Sequence, residues 1–248
     1  MPNKIVTIHP PGSRPGTSSF AIAPMMRPTT KIVISPINTS KCASHGVSDT
    51  RYAGTGSRNP RHRRVTCSMN PREARDFLAK AVSPRPGIWA DLGAGKGTFT
   101  KALADILGPG STIYAVDHDP SAITALERAA RVDGVRIVPI LGDFARALEV
   151  PGVAPGTLDG ILLANALHFV PEPARVLQSL VRWLRPGGKV VLIEYDRRRA
   201  NRWVPYPIEK ARLAEIAEQA GLSAPVIDGS VPSRYWGEIY VARLGKTT

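Results

Sequence analysis

The segment Ile88-Trp89-Ala90-Asp91-Leu92-Gly93-Ala94-Gly95-Lys96-Gly97 constrains this chain more than any other. Five residues of strand length, apolar but for Asp91, run into glycines at every second position. A helical apolar pattern from Thr98 to Leu107 starts at once. A strand, a glycine turn and a helix N-terminus in that order bring outward-pointing N–H groups to a place where no Cβ blocks a ligand. The segment predicts a βα unit with a binding site at the carboxyl end of its strand.

The same rhythm continues in both directions. Asn70-Pro71 sets an N-cap before a proline at the first helical position, and Phe77, Leu78 and Ala81 carry a leading helix to about residue 82. Pro84, Pro86 and Gly87 break it before the strand at 88–92. Further strands are expected at 112–116, 135–140, 158–164 and, after the turn Pro186-Gly187-Gly188, at 189–195. Helices are expected at 98–107, after Asp119-Pro120, and at 173–184 and 207–220. Strands alternating with helices of this length imply a parallel sheet covered on both faces. Residues 224–228 and 235–244 read as two strands of a terminal antiparallel hairpin. There is no internal repeat.

The charge is unevenly placed. Residues 1–68 hold ten basic residues and one acid, whereas residues 69–248 hold 23 and 19. The first segment also contains eight Pro and 17 Ser or Thr without apolar periodicity, the composition of a disordered tail. Three further readings of it stay open: an RNA-binding arm built on Arg58 to Arg64, an organelle leader, or an extension upstream of a true start at Met69. The folded domain is expected over 69–248. No stretch approaches the ~20 apolar residues of a membrane span, so a soluble, cytoplasmic protein is expected, with organelle import as the alternative. Cys42 and Cys67 make no disulfide framework, and histidines at 9, 45, 62, 118 and 168 have no metal-ligand spacing, so no metal is expected.

The glycine spacing, G-x-G-x-G, departs from the G-x-G-x-x-G of dinucleotide sites and disfavours a bound pyrophosphate. Asp117, 20 residues after Gly97 at the end of the second strand, is placed to accept the two hydroxyls of a ribose. Asp143 follows the third strand, where its carboxylate can accept from an adenine amine and Phe144 can cover the ring. Asp159 and Asn165 are assigned to the close of the fourth strand, and Glu194, Tyr195 and Asp196 close the fifth. These loops are expected to converge at the carboxyl edge of the sheet. Each acid has a plainer alternative: Asp119 is an N-cap, Asp91 a strand end, Asp117 and Asp143 turn caps. His168 is either a general base or a packed loop residue. Arg197-Arg198-Arg199, with Arg202 and Trp203, either attracts an anionic or aromatic substrate or is a solvated loop. Trp203, Pro205 and Tyr206 suit a lid over the acceptor.

On Trp89 to Gly97, and on Leu184-Arg185-Pro186-Gly187-Gly188-Lys189 before the fifth strand, the chain resembles the class I S-adenosylmethionine-dependent methyltransferases over about residues 70–245. The resemblance implies a Rossmann-like seven-stranded, mostly parallel sheet with one antiparallel strand and helices on both faces. It implies S-adenosylmethionine as cofactor, with Asp91, Gly93, Ala94 and Gly95 at its methionine end. Asp117 is then at the ribose, Asp143 at the adenine amine, His118 and Phe144 beside the base, and Asn165 also cofactor-facing. Lys96 departs from the small or polar residue commoner in that loop. His168, Glu194 and Tyr195 are the candidate catalytic residues. The family's nucleobase and ribose routes lack their parts: there is no Cys in 69–248, Asn165-Ala166-Leu167-His168 replaces the amino-adenine segment, and Asp159 alone cannot supply a Lys-Asp-Lys-Glu set. A small-molecule acceptor is therefore expected. The alternatives are an RNA methyltransferase, a non-catalytic cofactor-binding protein, or a nicotinamide-dependent reductase suggested by Tyr206-Pro207-Ile208-Glu209-Lys210.

Overall fold

The computed structural model describes residues 69–129, 132, 134–146, 150, 153–233 and 237–247. The expectations for residues 1–68 and for Tyr235 at the head of the last strand lie outside the described residues. The elements in chain order are α1 (Pro71–Leu78), β1 (Ile88–Leu92), α2 (Thr98–Leu107), β2 (Thr112–Asp117), α3 (Pro120–Ala129), β3 (Arg136–Leu141) and β4 (Leu158–Ala164). A short 3-10 turn, Leu167–Phe169, leads to α4 (Pro173–Val181), β5 (Leu184–Asp196), α5 (Lys210–Gln219), β6 (Val226–Pro232) and β7 (Glu238–Gly245).

The strands form one sheet in the order β3-β2-β1-β4-β5-β7-β6, with β7 antiparallel to both its neighbours. The order reverses between β1 and β4, and that switch opens a crevice at the carboxyl ends of the two central strands. Successive side chains of a strand point to opposite faces, so the apolar runs of β4 and β5 fill two cores. Leu163 and Leu192 pack with α4 and α5 residues such as Leu177 and Leu213. Leu162 and Val191 pack on the other face with Phe77 of α1 and Leu103 of α2. A capping box starts α1: Asn70 Oδ1 accepts from Glu73 N at 2.9 Å and Glu73 Oε2 accepts from Asn70 N at 3.0 Å.

Beyond the earlier ends of α1 and α4 and a β6 at Val226–Pro232 instead of 224–228, three differences from the sequence expectation have a clear physical reason. Leu158 pairs with Leu184 but Gly160 with Lys189, so Pro186-Gly187-Gly188 is a bulge inside β5, not a turn before it. Helix α5 begins at Lys210 because Ile208 is buried in the core and its carbonyl accepts from the buried Tyr240 hydroxyl at 2.8 Å, holding residues 207–209 extended. Asp159 sits at the amino end of β4, opposite the edge to which the sequence reading assigned it. There its Oδ2 accepts from Ile88 N at 2.8 Å and its Oδ1 from Arg185 Nε at 2.7 Å, clasping the starts of β1, β4 and β5. Asp159→Ala leaves a strand-end N–H without its acceptor. It should lower unfolding stability by about 1–3 kcal/mol while leaving ligand affinity unchanged, as read by denaturant melts and calorimetry.

Candidate functional site

The turn after β1 is fixed to the end of β2. Gly93 N and Ala94 N both donate to Val116 O, at 2.9 and 3.0 Å, and Gly95 N donates to Asp117 Oδ2 at 2.8 Å. Asp117 Oδ1 accepts from Asp119 N at 2.9 Å, so one buried carboxylate joins the glycine turn to the entry of α3. Gly93 has φ +77°, and a Cβ there would lie 2.6 Å from the Ala166 methyl. Gly97 has φ +85°, and a Cβ there would meet Leu126 of α3 at 2.7 Å. Side chains at either position would both strain the backbone and open the crevice.

Asp91 closes β1 with only 1 % of its surface exposed. Its Oδ2 accepts from Thr100 Oγ1 at 2.6 Å, and its Oδ1 is buried with no partner among the described residues. Burial pushes its carboxyl up to about 7; the Thr100 bond opposes that rise and the charge of Asp117 adds to it. At the end of β4, Asn165 adopts φ +54° with its N–H donating to Ile193 O at 2.8 Å, and its Oδ1 is likewise buried and unpartnered. Both residues border a cavity of about 650 Å³ that also touches Gly93, Ala94, Gly95 and Tyr195. Two buried acceptors without donors fit a ligand bearing an ammonium group, which a charged carboxylate and an amide oxygen can share.

The remaining candidates are distributed unequally. Asp117, His118, Asp143 and Phe144 lie beyond that cavity, at the ends of β2 and β3. His118 is exposed, with Nδ1 3.7 Å from Asp117 Oδ1. Asp143 caps its own loop by accepting from Ala145 N at 2.9 Å and pairs with Arg146 at 3.2 Å. Phe144 packs toward Gly93. His168 and Glu194, expected to face substrate, do not border the cavity. They are 2 % and 0 % exposed, joined by a 2.7 Å contact between His168 Nδ1 and Glu194 Oε2. Glu194 Oε1 also accepts from Leu167 N at 2.9 Å and His168 N at 3.2 Å. Strand parity is the reason: Tyr195 packs with the α1 and α2 face and reaches the cavity, and its neighbour Glu194 points the opposite way. Tyr206 and Lys210 do not share a helix, since α5 begins at Lys210, and Lys210 is bound to Glu238 at 2.7 Å; the reductase pairing has no basis here.

Sequence reasoning missed the opposite wall. Phe77 of α1, Lys80 just past it, Val231 and Ser233 at the end of β6, and Ile239 of β7 all border the cavity. Their placement depends on how α1 and the hairpin dock on the sheet, which no local pattern carries. Thr100 had a usable signal: it faces back across the first turn of α2, nine residues after Asp91.

Among the described residues no helix is long and apolar enough to cross a membrane, and no group of three His, Cys, Asp or Glu side chains is placed to hold a metal. Comparison with known proteins gives the class. The family model for a methyltransferase domain matches residues 90–192. An uncharacterised methyltransferase of Mycobacterium tuberculosis is 35 % identical over 134 residues, covering 54 % of this chain and 49 % of that one. The 12S rRNA N(4)-cytidine methyltransferase of Bos taurus is 37 % identical over 92 residues, 36 % of this chain and 22 % of its own. The chain thus spans about half the length of the mycobacterial relative. Among solved structures, the fold is similar to the 1,6-didemethyltoxoflavin-N1-methyltransferase of Burkholderia thailandensis, with a TM-score of 0.55 and 24 % identity over 72 % of this chain and 78 % of that one. Residues 90–192 are thus similar to a methyltransferase domain, and the fold is that of S-adenosylmethionine-dependent methyltransferases.

Two predictions come from this geometry. Because the Asp91 carboxyl is raised above its unfolded value, its burial favours the protonated form. The associated stability is complete below about pH 4 and is lost as pH rises through about 7. An ammonium ligand needs the charged form, so its binding releases a proton. Affinity for S-adenosylhomocysteine should level off near pH 8, before the ligand's own ammonium deprotonates, and fall toward tenfold per unit below about 7, measured by titration in buffers of different ionisation heat. Glu194→Ala strands two backbone N–H groups and should cost about 2–3 kcal/mol or more of stability, read by chemical denaturation.

Proposed function

We propose that this protein transfers the methyl group of S-adenosylmethionine to a small-molecule acceptor held beside the glycine turn. The observation that carries the reading is the buried, unpartnered Oδ1 of Asp91 on a cavity bordered by Gly93 to Gly95. In this reading Asp91 and Asn165 accept the ammonium of the methionine end and the glycine turn receives its backbone-close approach. Asp117 accepts a ribose hydroxyl on lone pairs left over from its two N–H bonds. Asp143 accepts from the adenine amine, with Phe144 and His118 beside the ring. The bound cofactor supplies a methyl carbon made electrophilic by its sulfonium.

What remains for the protein is to align the acceptor and exclude water. Tyr195, Phe77 and Ile239 offer a largely apolar wall for an acceptor in line with that methyl. A volume of about 650 Å³ is in the range of small-molecule sites. The toxoflavin-precursor enzyme, whose solved structure holds a heterocyclic acceptor and S-adenosylhomocysteine, offers a parallel of similar fold. His168 and Glu194, committed to each other, hold the turn after β4 and so position Asn165.

Calorimetric titration of the protein with S-adenosylhomocysteine, with NADH as control, tests the assignment. Saturable binding of the former alone is expected, and preferential NADH binding overturns it. Asp117→Ala removes the acceptor for Gly95 N along with the ribose contact. It should weaken S-adenosylhomocysteine by about 1.5–3 kcal/mol, and an unchanged affinity would refute the nucleoside placement.

A further inference from the structure

Past β5 the chain turns sharply, with Arg197 at φ +53°. An open depression of about 660 Å³ follows, lined by Arg197, Arg198, Arg199, Pro207, Glu209 and Arg212. Arg197 is held by Glu238 at 2.6 Å, and the Arg198 guanidinium lies 4.7 Å over the Tyr195 ring. Arg199 and Arg212 form no ion pair among the described residues. From Asp196 to Arg212, with Glu238, six basic side chains face three carboxylates. The excess charge is therefore not absorbed by the fold.

Three aromatic rings stand exposed on the same group of loops: Phe169 at 56 %, Trp203 at 55 % and Tyr206 at 46 %. Their display is built. Asn201 and Val204 bond to each other's backbone at 3.0 and 3.1 Å, and Asn201 Oδ1 accepts from Trp203 N at 2.9 Å. Buried Val204 anchors this turn, which carries Trp203 outward with Arg202 stacked on it at 4.0 Å. Tyr206 N donates to His168 O at 3.0 Å, tying the second ring to the turn that carries Phe169. Rings held out in water lose apolar contact unless a ligand covers them.

Guanidiniums that are not neutralised, spread among rigid exposed rings, match a polymer in which phosphates and flat bases alternate. We infer that the loop 197–206, with Arg212 and Phe169, binds single-stranded RNA, its phosphates in the arginine depression and its bases on Trp203 and Tyr206. This surface lies outside the cofactor cavity. RNA binding there is separate from the choice of methyl acceptor.

The test uses the full chain and a ten-nucleotide oligoadenylate. Of the four tryptophans, Trp203 is exposed, Trp89 and Trp183 are buried and Trp236 lies outside the described residues, so the measurement is made in a Trp236→Phe background, where base stacking on Trp203 should quench emission and the basic segment 1–68, which has no tryptophan, adds no tryptophan emission. Quenching should saturate and vanish in Trp203→Phe. The double variant Arg199→Ala/Arg212→Ala should bind at least tenfold more weakly and lower the slope of log K against log salt by about 1–1.5. Both variants should keep wild-type affinity for S-adenosylhomocysteine, which separates loss of this surface from misfolding. Failure of S-adenosylhomocysteine binding in the wild type with quenching intact would sink the methyl-transfer reading and leave this one standing. Quenching retained in Trp203→Phe overturns the proposal, as does wild-type affinity and slope in the double variant. Binding to phosphatidylglycerol vesicles without oligoadenylate quenching overturns it in favour of a membrane surface.

Discussion

A carboxylate is kept in the apolar interior at the end of the central strand, with one oxygen bonded to Thr100 and the other to nothing in the described chain. Such burial is costly for a charge, and the rise of the Asp91 carboxyl to about 7 registers that cost. The surrounding structure maintains it through tightly fitted contacts. Gly93 lets the chain pass against Ala166, Gly97 lets α2 start against Leu126, and Asp117 holds Gly95 N so that the turn cannot relax toward the carboxylate. A hydrophobic residue at position 91 would satisfy the core better. The orphaned oxygen is intelligible as half of an interaction whose other half is a ligand.

The elements facing Asp91 were legible because their signals are local. The β1 strand, the glycine turn and α2 appear where the apolar runs and glycines put them, as do the Asn70 cap and the strand that ends in Asp117. Asp159 was assigned to the wrong end of its strand, and which way Glu194 and His168 face was not legible, because these depend on strand direction, parity and loop packing. An acid in a strand flank can belong to either end of the sheet, and only the pairing of Leu158 with Leu184 shows that Asp159 is at the amino end. Glu194 and Tyr195 look alike as polar residues closing a strand, yet one residue of parity sends the first into the α4 and α5 face and the second to the cavity. The bulge at Pro186-Gly187-Gly188 looked like a turn because a bulge and a turn use the same residues.

The two halves of the sheet also differ in how tightly chemistry binds them to sequence. From β1 to β3, carboxylates and backbone N–H groups must lie at fixed spacings, since Asp117 and Asp143 accept from the N–H groups of Gly95, Asp119 and Ala145 and so shape the turns themselves. From β4 to β7, and in α1, the cavity wall is made of Phe77, Tyr195, Val231 and Ile239, whose contribution is shape. Apolar side chains that wall a pocket carry the same periodicity as those that fill a core. That half of the site could not be separated from the core until α1 and the hairpin were docked on the sheet.

Tyr195 stands where these halves meet a third surface. It borders the cavity along with Asn165, and the guanidinium of Arg198, which lines the arginine depression, lies over its ring at 4.7 Å. A cation on a ring face restrains both groups, so the position of the 197–206 loop and the shape of the cavity wall are not independent. His168 adds a second link: its carbonyl accepts from Tyr206 N while its ring is clamped by Glu194 at the turn that positions Asn165. The 197–206 loop is thus tied to the two elements that frame the cavity, the end of β5 and the turn after β4. The buried pair of His168 and Glu194 pins the turn after β4 through the Leu167 and His168 N–H groups that Glu194 Oε1 accepts from, which gives two buried polar side chains their partners without a ligand.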